Sequence, residues 1–355
     1  MADLHENPLG TDGFDFVAYA APEPQLLIDL FHSLGFRATR KHKTMKVTIF
    51  EQGDIKFILN AETEGFGAEF AKAHGPAAIG MGFRVKDAAA ALEMALERGA
   101  TAVPLAEGGF LTKAPVLKGI GGSRLYLIDT YGERDAFEED YEPIDDPDFK
   151  GGDAGLSYID HLTHNVHRGN MDERSDFYAR VFNFRQIRYF DIEGKQSGLH
   201  SRAMTSPCGK IRIPVNEDTG DKGQIAEFLD EYKGEGIQHV ALGTDDIYAS
   251  VDAISGAGVT FQDTLETYYK QIDERVPGHG EDVEALRARG ILIDGALTEG
   301  QGLLLQIFTH NVIGPIFFEV IQRKGNEGFG EGNFQALFES IELDQIQRGV
   351  LPAAE

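Results

Sequence analysis

A chain of 355 residues, 42% of them hydrophobic, is long enough for two domains and a sizeable core. Its 33 basic against 58 acidic residues leave a net charge of −25, which argues against nucleic acid or an anionic membrane as partner, since both need a basic footprint. The lone cysteine, Cys208, excludes an intramolecular disulfide framework and Cys-rich zinc sites, and fits a reducing compartment.

The N-terminal stretch MADLHENPLGTDG is polar and has no apolar run, so it does not read as a signal peptide. No run approaches the ~18 apolar residues of a membrane-spanning helix, and a soluble, cytoplasmic protein is expected.

In chain order, a strand is expected from Phe14 to Ala20, then a helix from Pro24 to about Leu34, stopped by Gly35. Strands follow at Phe36–Arg40, Lys46–Glu51 and Ile55–Asn60, the last two joined by a tight turn at Gln52-Gly53-Asp54. After a helical stretch near Gly67–His74 the pattern restarts: strand Ile79–Val85, helix Ala88–Arg98, strand pieces within Val103–Ile120, and strand Arg124–Asp129. Residues Glu133–Asp153, rich in Asp, Glu, Pro and Gly, read as a linker.

The same unit then returns. Strand Tyr158–Val166 and helix Met171–Phe182 precede strands at Arg185–Ile192, Gly198–Ser206 and Lys210–Asn216. A fourth copy comprises strand Ile237–Thr244, helix Ile247–Ser255 and strands Leu303–Thr309 and Ile316–Gln322. A glycine-rich loop (Gly325, Gly328, Gly330, Gly332) leads into an amphipathic helix with Phe334, Leu337, Phe338 and Ile341 at helical spacing.

Laid over one another, FDFVAYA from Phe14 corresponds to IDHLTHN from Ile159, and GMGFRVKDAAAALEMALERGA from Gly80 to HVALGTDDIYASVDAISGAGV from His239. LYLIDT from Leu125 corresponds to FFEVIQ from Phe317. The halves differ where it matters: Phe16 against His161, Gly80 against His239, and Leu127 against Glu319. Glu319 is an awkward charge on an apolar strand face shared with Phe317 and Ile321.

Two imidazoles and a carboxylate on three strands can hold one face of a metal ion and leave positions open, a set that favours non-haem Fe(II). A closed zinc site would want a fourth protein ligand, preferably sulfur, and Cys208 is the only cysteine. Taken singly, a strand histidine is more often a packed core or surface residue. His164 alternates to the opposite face from His161, and His167 follows the strand's end.

The segments IDHLTHNV, GIQHVAL, LLLQIFT, PIFFEVIQRKG and FGEGNFQALFESIE closely resemble the 4-hydroxyphenylpyruvate dioxygenase family of the vicinal oxygen chelate superfamily. The resemblance covers essentially the whole chain and is densest from Tyr158 onward. It implies an α+β fold of two domains, 1–152 and 153–355, each of paired βαβββ modules forming an open barrel-like sheet, with a C-terminal gating helix. It implies that His161, His239 and Glu319 ligate Fe(II), and that Gln238, Gln306 and Phe308 stand closest to the chemistry. Ser201, Pro214, Asn216, Gln224, Phe317, Phe329, Asn333 and Phe334 would bind the substrate, with Phe308 and Phe329 sandwiching its ring.

The implied reaction takes a 2-oxo acid and O₂ through oxidative decarboxylation, ring hydroxylation and side-chain migration to homogentisate, a step of tyrosine breakdown. A tetramer is implied for the assembly. Three rivals share the scaffold: 4-hydroxymandelate synthase, an extradiol catechol dioxygenase, and a non-catalytic binding protein. Pro214 and Asn216 in IRIPVNED match the dioxygenase pattern over the first of these.

Overall fold

Each half of the chain is built on one ten-residue strand buried along most of its length, Thr11–Ala20 (β1) in the first half and Leu156–Asn165 (β10) in the second. The computed structural model describes residues 5–104, 109–132, 135–193, 198–220, 222–297, 300–330, 332–333, 345, 348 and 350, without the side chains of 192 and 193.

Around β1 gather Arg37–His42 (β2), Val47–Gln52 (β3), Ile55–Asn60 (β4), Ala77–Val85 (β5), Ala102–Val103 (β6), Val116–Lys118 (β7), Arg124–Ile128 (β8) and Tyr141–Pro143 (β9). Around β10 gather Arg185–Glu193 (β11), Gly198–Thr205 (β12), Arg212–Asp218 (β13), Gly236–Thr244 (β14), Leu292–Gly295 (β15), Leu303–Phe308 (β16) and Phe317–Lys324 (β17). The first sheet runs β6-β7-β8-β5-β1-β4-β3-β2-β9 and the second β11-β12-β13-β10-β14-β17-β16-β15. Read from opposite ends, the two orders match strand for strand, with β9 the only addition among the described residues. The repeat seen in the sequence is therefore a repeat of topology, and the sheets curl into the half-barrels of the vicinal oxygen chelate fold.

The repeat extends to detail. Asp87 and its equivalent Asp246 each cap the following helix, accepting from the N–H of Ala90 at 2.9 Å and of Ala249 at 3.1 Å. The β1–β5 ladder slips between Phe14 and Phe16 and between Ala18 and Tyr19. The β10–β14 ladder slips at the equivalent places, between Ile159 and His161 and between Thr163 and His164. These bulges belong to the scaffold, since the half without the histidines has them too.

One equivalence needs correction. Gly80 pairs with Arg124 and Gly82 with Tyr126, whereas His239 pairs with Phe317 and Ala241 with Glu319. The residue in the place of Glu319 is Tyr126, not Leu127. Both strands are apolar on both faces, so sequence similarity alone leaves the alignment free to slip by one; the parallel ladder does not. Where the second half gathers His161, His239 and Glu319, the first has Phe16, Gly80 and Tyr126, with the rings of Phe16 and Tyr126 5.3 Å apart. Aromatic packing fills the ligand-free site.

The helices Pro24–Ser33, Ala88–Glu97, Met171–Phe182 and Ile247–Gly256 lie where the sequence places them. Helices Gln224–Tyr232, Glu266–Lys270, Ile272–Arg275 and Val283–Arg289 and strand β15 were not expected. The expected linker is partly structural: β9 pairs with β2, and Phe137 and Tyr141 are buried against each other with ring centroids 5.5 Å apart.

One buried apolar cluster runs through both halves, joined by contacts such as Phe57 on Phe318 (5.7 Å) and Phe83 on Phe182 (5.4 Å). Among the described residues, no helix is long and apolar enough to cross a membrane. The amphipathic helix expected from Phe334 to Ile341 lies outside the described residues.

Candidate metal centre

The ladders of the second sheet place the candidate ligands on one face. A single transverse row reads Phe308, Glu319, Ala241, His161, Arg212 across β16, β17, β14, β10 and β13. The neighbouring row reads Phe317, His239, Thr163. Side chains in one row project to one side of the sheet. Residues two positions apart share that side as well, so Gln306, Pro214, Asn216 and Arg323 join the same face, and Ser201, paired with Asn216, does too. His164 turns to the other face, as alternation requires.

His161, His239 and Glu319 converge with all their ligand atoms within 4.8 Å of one another, and all three are buried. His161 Nε2 lies 3.2 Å and His239 Nε2 3.5 Å from Glu319 Oε2, and the two Nε2 atoms are 3.3 Å apart. Three acceptor atoms aimed at one point fit a single cation bound on one side, with the remaining positions open to a ligand.

The bulges orient the imidazoles. In each case the extra residue of the ladder immediately precedes the histidine and turns to its side of the sheet. Asp160 Oδ1 thereby accepts from His161 Nδ1 at 2.9 Å, and Gln238 Oε1 from His239 Nδ1 at 2.9 Å. Both Nδ1 protons are thus engaged, which leaves Nε2 free for a metal on each ring. Thr163 Oγ1 stands 3.0 Å from His239 Nε2.

Electrostatics agree with a cation site. Burial works against charge on His161, but the carboxylates of Glu319 and Asp160 prevail and push its pKa up to about 9. Burial likewise opposes charge on Glu319, yet His161 holds it below the usual carboxylate range. Burial pushes His239 down. Asp160, fully buried, is held well below its ordinary value because Arg323 outweighs the burial. Without an ion, a proton on His161 supplies the positive charge that the Glu319 carboxylate requires.

Above the triad is an aromatic wall. The Phe329 ring lies 5.7 Å from that of His161, Phe317 stacks on His239 at 4.8 Å, and Phe308 meets Phe317 edge-on at 6.1 Å. Next to Phe308 on its strand, Gln306 Oε1 accepts from Asn333 Nδ2 at 3.3 Å. Tyr268 donates to Asn333 Oδ1 at 2.7 Å while Arg275 donates to the Tyr268 hydroxyl at 2.6 Å. Tyr268 and Arg275 were not anticipated from the sequence; they lie in short helices that pack under the end of the glycine-rich loop.

On the other flank, Ser201 and Asn216 sit opposite each other on β12 and β13, both buried. Ser201 Oγ and Asn216 Oδ1 have no hydrogen-bond partner among the described residues. Pro214 lies two residues before Asn216 on the same side. Gln224 opens the helix Gln224–Tyr232 and is half-buried. Phe334 lies outside the described residues.

The profile of the family described as Hydroxyphenylpyruvate dioxygenase, HPPD, N-terminal matches residues 5–150. That of the Glyoxalase/Bleomycin resistance protein/Dioxygenase superfamily matches residues 158–271. The chain is 56% identical over 348 residues to a 4-hydroxyphenylpyruvate dioxygenase of Pseudomonas aeruginosa, with 97% of each chain covered. This chain belongs to the 4-hydroxyphenylpyruvate dioxygenase family.

It is also 57% identical over 350 residues to a protein of Vibrio vulnificus named Hemolysin VllY, covering 97% of this chain and 98% of that one. A 4-hydroxyphenylpyruvate dioxygenase of Legionella pneumophila is 51% identical over 98% of both chains. Among solved structures, a fusion of a xylose isomerase-like TIM barrel with 4-hydroxyphenylpyruvate dioxygenase aligns with TM-score 0.79 at 29% identity, over 95% of this chain and 54% of that one. A mutant of 4-hydroxymandelate synthase from Streptomyces coelicolor aligns with the same TM-score at 24% identity, over 94% and 99%, and bears on the fold alone. The family is iron-dependent, and the donor set of His161, His239 and Glu319 fits Fe(II).

Proposed function

We propose that this chain converts 4-hydroxyphenylpyruvate and O₂ to homogentisate and CO₂, using Fe(II) held by His161, His239 and Glu319. The observation that carries the reading is the buried triad with its open side, in a chain so close to dioxygenases of that name.

Bound Fe(II) supplies a centre at which the substrate's 2-oxo carboxylate and O₂ are brought together and electrons pass between them. The protein's own part is positioning. Asp160 and Gln238 hold the two imidazoles by their Nδ1 protons. Phe308 and Phe329 would grip the aromatic ring between them, and Phe317 backs His239. Gln306 and Asn333, themselves tied together and braced by Tyr268, present amide groups to the polar end of the substrate. Ser201 Oγ and Asn216 Oδ1, buried and without a hydrogen-bond partner among the described residues, are placed to meet its polar groups. Pro214 shapes that flank, and Gln224 and Phe334 complete the set that the family resemblance implies. Phe308, Phe317 and Phe329, all buried, would keep bulk water from the reacting end.

The same reading divides the chain into a ligand-free domain, 1–152, and an iron-binding domain, 153–355. It places the enzyme in tyrosine catabolism, in the cytoplasm, as a homo-oligomer of four copies. Anaerobic addition of Fe(II) and 4-hydroxyphenylpyruvate should give a visible charge-transfer band from chelation of the 2-oxo acid. His161→Ala and Glu319→Gln should abolish the band while leaving the circular dichroism unchanged. A band of full strength in either variant would refute the ligand assignment.

A further inference from the structure

The guanidinium of Arg323 has a contact on every nitrogen. Its Nε and one terminal nitrogen bind the two oxygens of Asp160 side by side, at 2.7 and 2.8 Å. Its other terminal nitrogen donates to the backbone carbonyls of Asn326 at 3.0 Å and Gly328 at 2.6 Å. Asp160 is the carboxylate that receives the Nδ1 proton of His161, and Gly328 immediately precedes Phe329, whose ring lies against His161. One planar group thus joins a metal ligand's partner to the loop that carries the aromatic wall.

A second arginine repeats the connection more loosely. Arg212 reaches Asp160 at 3.5 Å and the carboxylate of Glu327 at 2.7 Å. Residues 326, 327 and 328 are therefore all bound, through two arginines, to one buried carboxylate. The arrangement spans β14: Arg323 follows Glu319 on β17 by four residues and so shares its face, while Asp160 is the bulged residue of β10. Between them on β14 stand Ala241 and Gly243, and the ring of Tyr158 lies over Gly243.

We propose that Arg323 is a positioning residue that couples the Phe329 loop to the orientation of His161, so that metal binding and loop closure favour each other. The two-point contact with Arg323 fixes the plane of the Asp160 carboxylate. So fixed, Asp160 holds His161 by its Nδ1 with Nε2 turned to the metal. With the loop's carbonyls on the same guanidinium, displacement of the loop loosens Asp160, and fixing of His161 by a metal tightens the loop. Such coupling is reciprocal by thermodynamic necessity.

The proposal rests on the metal reading of the triad, and its test separates the two. Co(II) affinity, and amide hydrogen exchange of residues 325–330 with and without Co(II), are measured in the unaltered protein and in Arg323→Met, Arg323→Lys and Asp160→Asn. In the unaltered protein Co(II) should slow exchange across the loop. Arg323→Met should bind Co(II) about 10–100-fold more weakly, the range for loss of an outer-shell partner, and its loop exchange should no longer respond to the metal. Arg323→Lys, which keeps the charge but not the fork, should recover most of the affinity and little of the loop response. Asp160→Asn should resemble Arg323→Met.

A folded Arg323→Met protein that binds Co(II) as tightly as the unaltered one, or whose loop still responds fully, would overturn the proposal. Should Arg323→Met fail to fold, a loop response in Arg323→Lys equal to that of the unaltered protein would overturn it equally. Absence of Co(II) binding in the unaltered protein would instead overturn the metal reading.

Discussion

Gly330 stands against Gln306 so closely that a Cβ built on it would fall inside van der Waals contact with Gln306 Oε1. Its φ of +71° is also one that residues with a Cβ rarely adopt. Gln306 Oε1 is the atom that accepts from Asn333, so this one contact sets both amides of the pocket. Gly330→Ala should push Gln306 aside, break the amide pair and lower kcat/KM by roughly tenfold or more, the order of effect expected when a positioning group is displaced by about 1 Å. Its Fe(II) affinity should fall far less than that of Arg323→Met, because the contacts of Arg323 with Asp160, Asn326 and Gly328 are kept. Steady-state kinetics and metal titration check the two halves of this expectation separately.

Metal loading should release a proton. His161 is pushed up to about 9 without an ion, chiefly by Glu319 acting against burial, so it is protonated near neutral pH. A ligating histidine must be neutral, so each Fe(II) or Co(II) bound at about pH 7.5 should displace close to one proton. The sign follows: apparent affinity rises with pH up to about 9 and levels off beyond it. A Co(II) titration in an indicator solution reads the release directly. Glu319→Gln should lower the His161 pKa and reduce the release, along with the affinity.

His164, on the opposite face of the same strand, behaves in the opposite sense. Burial pushes its imidazole down to about 4, with Leu162 and Glu235 opposing only in part. The unfolded chain, with an ordinary value near 6.5, takes up a proton that the native state refuses between these pH values. Stability from this group is complete above about pH 6.5 and is lost as pH falls toward 4, by up to the order of 3 kcal/mol. His164→Leu should flatten the acid limb of metal-free stability, whatever constant offset the packing change adds. Urea denaturation at two pH values, in both proteins, measures the difference.

The parts of this molecule legible in the sequence are those set by local patterning. The strand at Tyr158–Val166, the helices after it, and the histidine differences against Phe16 and Gly80 all stand, because alternation and helix stops are written within a few residues. Ile225, Phe228 and Tyr232, buried at helical spacing, mark the helix Gln224–Tyr232 in the sequence as well. That Tyr126 and not Leu127 is the equivalent of Glu319 depends on parallel ladders that join strands far apart in the chain.

The bulges before His161 and His239 have no local signature. Asp160 and Arg323 are 163 residues apart, and nothing in either neighbourhood announces the pairing. The Tyr268–Asn333 bond, across 65 residues, is hidden for the same reason. Sequence pointed to the metal ligands through a difference between halves; what orients them became visible only through long-range geometry.

The central claim is tested most directly by product analysis. The Fe(II)-loaded protein is given 4-hydroxyphenylpyruvate and O₂, and the products are identified by chromatography and mass spectrometry with CO₂ measured alongside. Homogentisate and CO₂ in equal amounts is the expected result. Formation of 4-hydroxymandelate, or no turnover by a protein that binds both Fe(II) and the 2-oxo acid, would contradict the account.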